Sequence, residues 1–217
     1  ACESFDLLRV FFPENTVNAC GPDGWFTSTP YGPVDLLPVE APQDVMNRYK
    51  LMLFLGWNTY DENDFRRIQK YVFDGGTLLL SAAHLNAELQ PDQPTRFPEN
   101  DQIIREMLGD DYRSMTGKHE IPYGNGRIIY FATPDYPIAS SLVSAYEETM
   151  HTLAASSIQE EPEKGWIAAS PHVGFTVWDE GNRRTLLLLN TDWKSDSDEV
   201  KAEFCYADKK FMVPVRR

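Results

Sequence analysis

The stretch Tyr49-Lys50-Leu51-Met52-Leu53-Phe54-Leu55-Gly56, continued by Asp61–Asp74 and closed by Gly75-Gly76-Thr77-Leu78-Leu79-Leu80-Ser81, decides the fold. After its lysine the first run is continuously apolar, as expected for a strand covered on both faces of a parallel sheet. Thr59 or Asp61 is placed to cap a helix, and Asp61, Glu62 and Asp64 suit its positive end. Phe65, Ile68, Tyr71 and Val72 then recur at helical spacing and predict a face turned toward the sheet. Gly75-Gly76 ends the helix, and Thr77–Ser81 reads as the next buried strand. Strand, helix and strand make a right-handed βαβ unit, hence a parallel sheet.

Upstream, Phe5–Phe12 reads as a first strand stopped by Pro13. A loop-rich stretch follows to Pro42, with Val34–Leu37 as a short strand within it and Gln43–Tyr49 as a short helix. Downstream, residues 86–100 form a polar, proline-bearing excursion, and Asp101–Leu108 a short helix ended by Gly109. Gly124-Asn125-Gly126 is a hairpin-type turn before a strand Arg127–Ala132, and a long helix runs from Ile138 to about Ser157. Beyond Glu160-Glu161-Pro162-Glu163-Lys164-Gly165 only strands follow: Ile167–Ala169, Val173–Trp178, Arg184–Asn190, Val200–Tyr206 and Lys210–Val213. Asp179-Glu180-Gly181-Asn182 is a hairpin turn, so this tail is antiparallel. At ~55 residues the tail is marginal alone and is expected to pack on the first domain.

With 217 residues the chain can bury a core without disulfides or metals. A net charge of −13 argues against nucleic acid and against an anionic membrane surface, while leaving neutral ligands such as sugars open. The longest apolar runs are strand-sized. The opening Ala1-Cys2-Glu3-Ser4 has no signal-peptide character, which suggests a processed chain or a piece of a longer one. Cys2, Cys20 and Cys205 are too scattered for a zinc site. A Cys2–Cys20 bridge and three free thiols both remain open, and an extracytoplasmic location is mildly favoured.

Residues Tyr49–Ser81 resemble the class I glutamine-amidotransferase-like, flavodoxin-like domain that stands beside the catalytic barrel in family 42 β-galactosidases and related glycoside hydrolases. The resemblance implies an α/β fold with a flavodoxin-like parallel sheet, helices on both faces, and a small antiparallel β domain after it. It divides the chain into residues 1–160 and 161–217. It also implies an accessory role, oligomer contacts or an adjoining catalytic domain. Active members of the wider superfamily carry a nucleophilic Cys at a tight strand-to-helix turn. The corresponding strand here reads Leu78-Leu79-Leu80-Ser81-Ala82-Ala83-His84, and no Cys lies between Cys20 and Cys205, so amidotransferase chemistry is not expected. The barrel with its paired carboxylates is missing too.

Ser81 and His84 are the weak catalytic candidates, at a strand's carboxyl end where open α/β sheets place ligands. They lack a third orienting group and a Gly-x-Ser-x-Gly elbow, so a hydrogen-bonded loop histidine is the plainer reading. Trp25, Phe26, Tyr31, Trp57 and Tyr60, with Asn58, Asp61 and Asn86 nearby, have the residue types of a sugar-stacking surface. Trp57, Asn58, Tyr60 and Asn86 are the ligand-binding candidates; packing of the long first loop or a subunit contact is the competing explanation. His119-Glu120, His151 and His172 are too dispersed for a metal, and Asp192–Glu199 reads as a solvated turn rather than a calcium loop. No cofactor is expected. The sequence thus favours a non-catalytic accessory region of a carbohydrate-processing protein. The alternatives are a stand-alone hydrolase acting on an ester or glycosidic bond through Ser81 and His84, and a soluble ligand-binding domain that forms no oligomer.

Overall fold

Asp61 does what its place before an amphipathic run predicts. Its backbone is extended, and its carboxylate accepts the N–H groups of Asn63 and Asp64 at 2.8 and 3.3 Å. The computed structural model describes residues 29, 31–32, 34–88, 93–94, 96–159, 173–181, 183–190, 199–206 and 209–216. They fall into two compact units: Leu37–Tyr146, and the described part of Ser4–Leu36 with that of Glu147–Arg217.

In the first unit a short helix α1 (Gln43–Met46) leads into strand β1 (Leu51–Leu53). Helix α2 (Glu62–Phe73) follows, then strand β2 (Thr77–Ser81) and a 3-10 turn over Ala82–Leu85. Helix α3 (Gln102–Leu108) precedes the hairpin of β3 (Gly117–Tyr123) and β4 (Gly126–Ala132). The sheet order is β1-β2-β4-β3. Strand β1 pairs parallel with β2 (Leu51 opposite Thr77) and β2 parallel with β4 (Thr77 opposite Arg127). Strand β3 lies antiparallel on β4. The expected parallel pair is therefore present, within a sheet that is mixed rather than wholly parallel.

Burial follows the pattern that the apolar runs predict, with one adjustment. All four expected core residues of α2, namely Phe65, Ile68, Tyr71 and Val72, are buried, with Leu78, Leu80, Ile128 and Tyr130 in the same cluster. The inner strands β2 and β4 are buried along most of their length, whereas β1 is only half-buried and ends at Leu53, earlier than the apolar run does.

Glycines let α2 and the β3–β4 turn meet. The Asn125 N–H donates to the Phe73 carbonyl at 2.9 Å and that of Arg127 to the Gly76 carbonyl at 3.3 Å. A Cβ on Gly126 would fall inside the van der Waals envelope of the Gly76 and Val72 carbonyl oxygens, and one on Gly76 inside the Tyr71 ring. The backbones approach this closely only because neither position carries a side chain.

Two expectations are corrected, and one strand is added. Val34–Leu37 is not a strand: these residues hold no regular structure. The sequence brackets these four residues with Pro33 and Pro38, which have no backbone N–H to donate to a ladder. The last long helix, α4 (Val143–Gln159), starts later than Ile138. Residues 137–142 form turns instead, closed by Ala139 N–H on the Tyr136 carbonyl and by the Ser141 hydroxyl donating to Asp135 at 2.7 Å. Proline and serines favour such local bonds over helix. Strand β3 was not anticipated, because Lys118, Glu120 and Pro122 make it a polar edge with weak alternation, suited to an unpaired flank.

The second unit contains two antiparallel hairpins. One joins β5 (Val173–Asp179) to β6 (Arg184–Asn190), the other β7 (Glu199–Tyr206) to β8 (Lys209–Arg216). Gly181 takes φ 83° in the expected turn, where Glu180 N–H reaches the Arg183 carbonyl at 2.8 Å. Val173, Ala202 and Val215 are its buried centre, with Leu186, Leu188, Val200 and Val213 packed around them. The expected strands at Phe5–Phe12 and Ile167–Ala169 lie outside the described residues.

Candidate functional site

At the carboxyl ends of β1 and β2 the chain leaves the sheet through Phe54–Tyr60 and through the 3-10 turn Ala82–Leu85. Ser81 and His84 are both fully buried there. The imidazole Nδ1 accepts the Ser81 backbone N–H at 2.9 Å and lies 3.1 Å from its Oγ. An acceptor at Nδ1 places the remaining proton of the neutral ring on Nε2. That nitrogen is buried without a hydrogen-bond partner, and the Gly56 backbone favours a proton on the ring without meeting the geometry of a bond to it. The ring lies edge-on to Phe54 and Tyr136, each with centroids 5.4 Å away. Burial in this setting lowers the histidine pKa to about 3, against the weaker upward pull of the Ser81 and Gly56 backbone.

This is the arrangement of a capping box rather than of a nucleophile and its base. A general base must present an unoccupied nitrogen to the hydroxyl proton, and here Nδ1 is already engaged by a backbone N–H. No substrate carbonyl can approach an Oγ whose residue has no exposed surface.

The ligand-binding candidates separate into two kinds. Asn58, Tyr60 and Asn86 hold the loops together. The Asn58 amide donates to the His84 carbonyl at 3.1 Å, and the Tyr136 hydroxyl donates to the Asn58 carbonyl at 3.2 Å. The Asn86 Oδ1 accepts the N–H groups of Glu88 and Arg96 at 3.1 and 2.9 Å, while its carbonyl accepts that of Tyr60 at 2.6 Å. The Asn86 side chain thereby closes the neck of the 86–100 excursion, and its backbone carbonyl ties that neck to the loop after β1. Tyr60 packs on Phe65 with ring centroids 4.8 Å apart; burial and the nearby Glu62 push its phenol up to about 12, and its hydroxyl is buried without a partner. Trp57 alone offers an open surface, 44% exposed.

Tyr136 belongs to this cluster and was not anticipated. Its place shortly after the carboxyl end of β4, a strand parallel to β1 and β2, was the available signal. Farther along, Asp101 anchors the excursion's other end. Its carboxylate accepts from Arg105 at 2.7 Å, the Tyr112 hydroxyl at 2.9 Å and Arg113 at 2.6 Å. These bonds, Arg105 foremost, hold its pKa near 2.

The remaining candidates do not converge on this place. His119 sits on β3 beside the Thr116 carbonyl, Glu120 pairs with Arg127 at 2.8 Å, and Tyr31 meets His151 Nε2 at 2.6 Å in the second unit. Among the described residues no group of three His, Cys, Asp or Glu could hold a metal ion, and no helix is long and apolar enough to cross a membrane. Trp25, Phe26, Cys2, Cys20, His172 and Asp192–Asp198 lie outside the described residues.

No family model and no curated protein matches the chain. Among solved structures it is similar to Gan42B, a GH42 β-galactosidase, with a TM-score of 0.48 at 12% identity over 79% of this chain. A catalytic mutant of that enzyme, from G. stearothermophilus, gives 0.47 at 12%. The match spans 31% of the length of either neighbour. Similarity at this level carries no statement about activity.

Proposed function

We propose that this chain is a non-catalytic accessory region of a carbohydrate-processing protein, acting in structure or oligomer contact, with Trp57 as a subsidiary place for a sugar ring. The observation that carries the reading is that the crevice position of the sheet is filled by the protein's own side chains. Ser81 and His84 have no exposed surface and are spent on capping the turn that follows β2. The likeness of Tyr49–Ser81 to the amidotransferase-like module, with Ser81-Ala82-Ala83 where the superfamily has its thiol, supports the same reading. Among the described residues of the aromatic set only Trp57 offers an exposed face, and Asn58 and Asn86 are engaged with backbone groups.

The reading frame surrounding this chain in its source gene tests the accessory role. An adjoining barrel-sized segment with paired acidic residues is the expected result. A frame that holds these two units and nothing catalytic beside them overturns it.

A further inference from the structure

The hairpin of β5 and β6 has two unlike faces. Alternation puts Val173, Leu186 and Leu188 on the face packed against Ala202 and Val215. The opposite face carries Gly174, Thr176 and Trp178, with Leu189, Leu187 and Thr185 as their cross-strand partners. There Trp178 is 60% exposed, Leu187 52% and Leu189 44%. None of the six positions is ionisable, in a chain whose net charge is −13.

We propose that this face binds a neutral sugar: the apolar C–H side of a pyranose ring stacks on the Trp178 indole, and the Thr185 and Thr176 hydroxyls serve the ring hydroxyls. Register places Thr185 directly opposite Trp178, with Thr176 on the same face two residues before it. A flat aromatic flanked by groups that both donate and accept is what such a ring requires. Charge and area choose between occupants. An uncharged face suits a neutral ligand rather than an ion. Its three apolar side chains expose on the order of 300 Å² together. Each partner in a stable protein interface contributes roughly 800 Å². A second copy of the chain is thus too large an occupant, and one or two sugar rings fit. The choice of a sugar among neutral ligands rests on the accessory reading above.

The test titrates the whole chain with lactose and with cellotetraose, following saturation transfer to the sugar protons, for the parent, Trp57→Ala and the double variant Trp57→Ala with Trp178→Ala. Millimolar binding is expected in Trp57→Ala, with transfer strongest at ring C–H protons and weakened about tenfold when the Trp178 indole is also lost. Trp178→Phe in the same background, which keeps a smaller ring, should fall between the single and the double variant. Binding that survives Trp178→Ala in the Trp57→Ala background overturns the proposal, as does absence of binding by either sugar. Binding by the parent that Trp57→Ala alone abolishes overturns it while leaving the accessory reading intact. A dimer in sedimentation that Trp178→Ala dissolves would assign the face to self-association instead.

Discussion

Gly126→Ala is expected to cost about 3 kcal/mol of stability, at the top of the range for overpacking and for single substitutions generally. The added methyl meets the carbonyl oxygens of Gly76 and Val72, both backbone atoms, so no side chain can swing aside. Relief requires moving the β3–β4 turn away from the end of α2. That movement stretches the bonds from Asn125 N–H to the Phe73 carbonyl and from Arg127 N–H to the Gly76 carbonyl. Gly117→Ala supplies the control: φ is 79° there and no atom lies near the added carbon, so only the left-handed backbone cost of about 1 kcal/mol applies. Urea midpoints of the two variants measure the difference. Equal costs would mean that the α2 end and the turn do not approach as described.

Acid is expected to destabilise the protein through His84. The folded pKa lies near 3, below the ordinary value of 6.5, so the native state keeps the ring neutral while the unfolded chain takes up a proton. The contribution is complete above the unfolded pKa of 6.5 and drains away as pH falls from there toward 3. The slope is about 1.4 kcal/mol for each pH unit, near 3 kcal/mol by about pH 4.5. Protonation also turns Nδ1 from acceptor to donor against the Ser81 N–H, so the capping bond is lost with the charge. His84→Asn keeps an acceptor near the Nδ1 position but cannot titrate. Its stability should run nearly flat between pH 6.5 and 4.5 where the parent declines. Parallel profiles for the two proteins would contradict a neutral, buried His84.

What the sequence reveals depends on how local the responsible physics is. Helix α2 was legible because its apolar spacing, its Asp61 cap and its Gly75-Gly76 stop agree within one short segment. Strand β2 was legible because burial on both faces leaves an unbroken apolar run. Strand β3 was hidden because an edge strand has no need of such a run, and Pro122 argues against one. Val34–Leu37 misled for the opposite reason, a largely apolar segment that forms no strand.

The position of the candidate site was legible in the sequence; the burial of its residues was not. A carboxyl-end position drew attention to Ser81, His84 and Trp57, yet nothing in those letters states that Ser81 and His84 are sealed from solvent. The spacing Ser81-x-x-His84 does match the N-cap and N3 positions of a capping box, which is the local signal available for their structural task. The tether that Asn86 forms could not be read from its candidacy as a ligand-binding residue, since its side-chain oxygen accepts from Glu88 nearby but also from Arg96 across a proline-bearing excursion.

The claim on which the functional reading turns is that Ser81 is a buried structural hydroxyl. Treating the intact chain at neutral pH with a fluorophosphonate, which captures nucleophilic serines, and mapping the adduct by mass spectrometry tests it most directly. No modification of Ser81 is predicted, with the parent and Ser81→Ala indistinguishable. Stoichiometric labelling of Ser81, abolished in Ser81→Ala and dependent on His84, would contradict the account and restore a hydrolase.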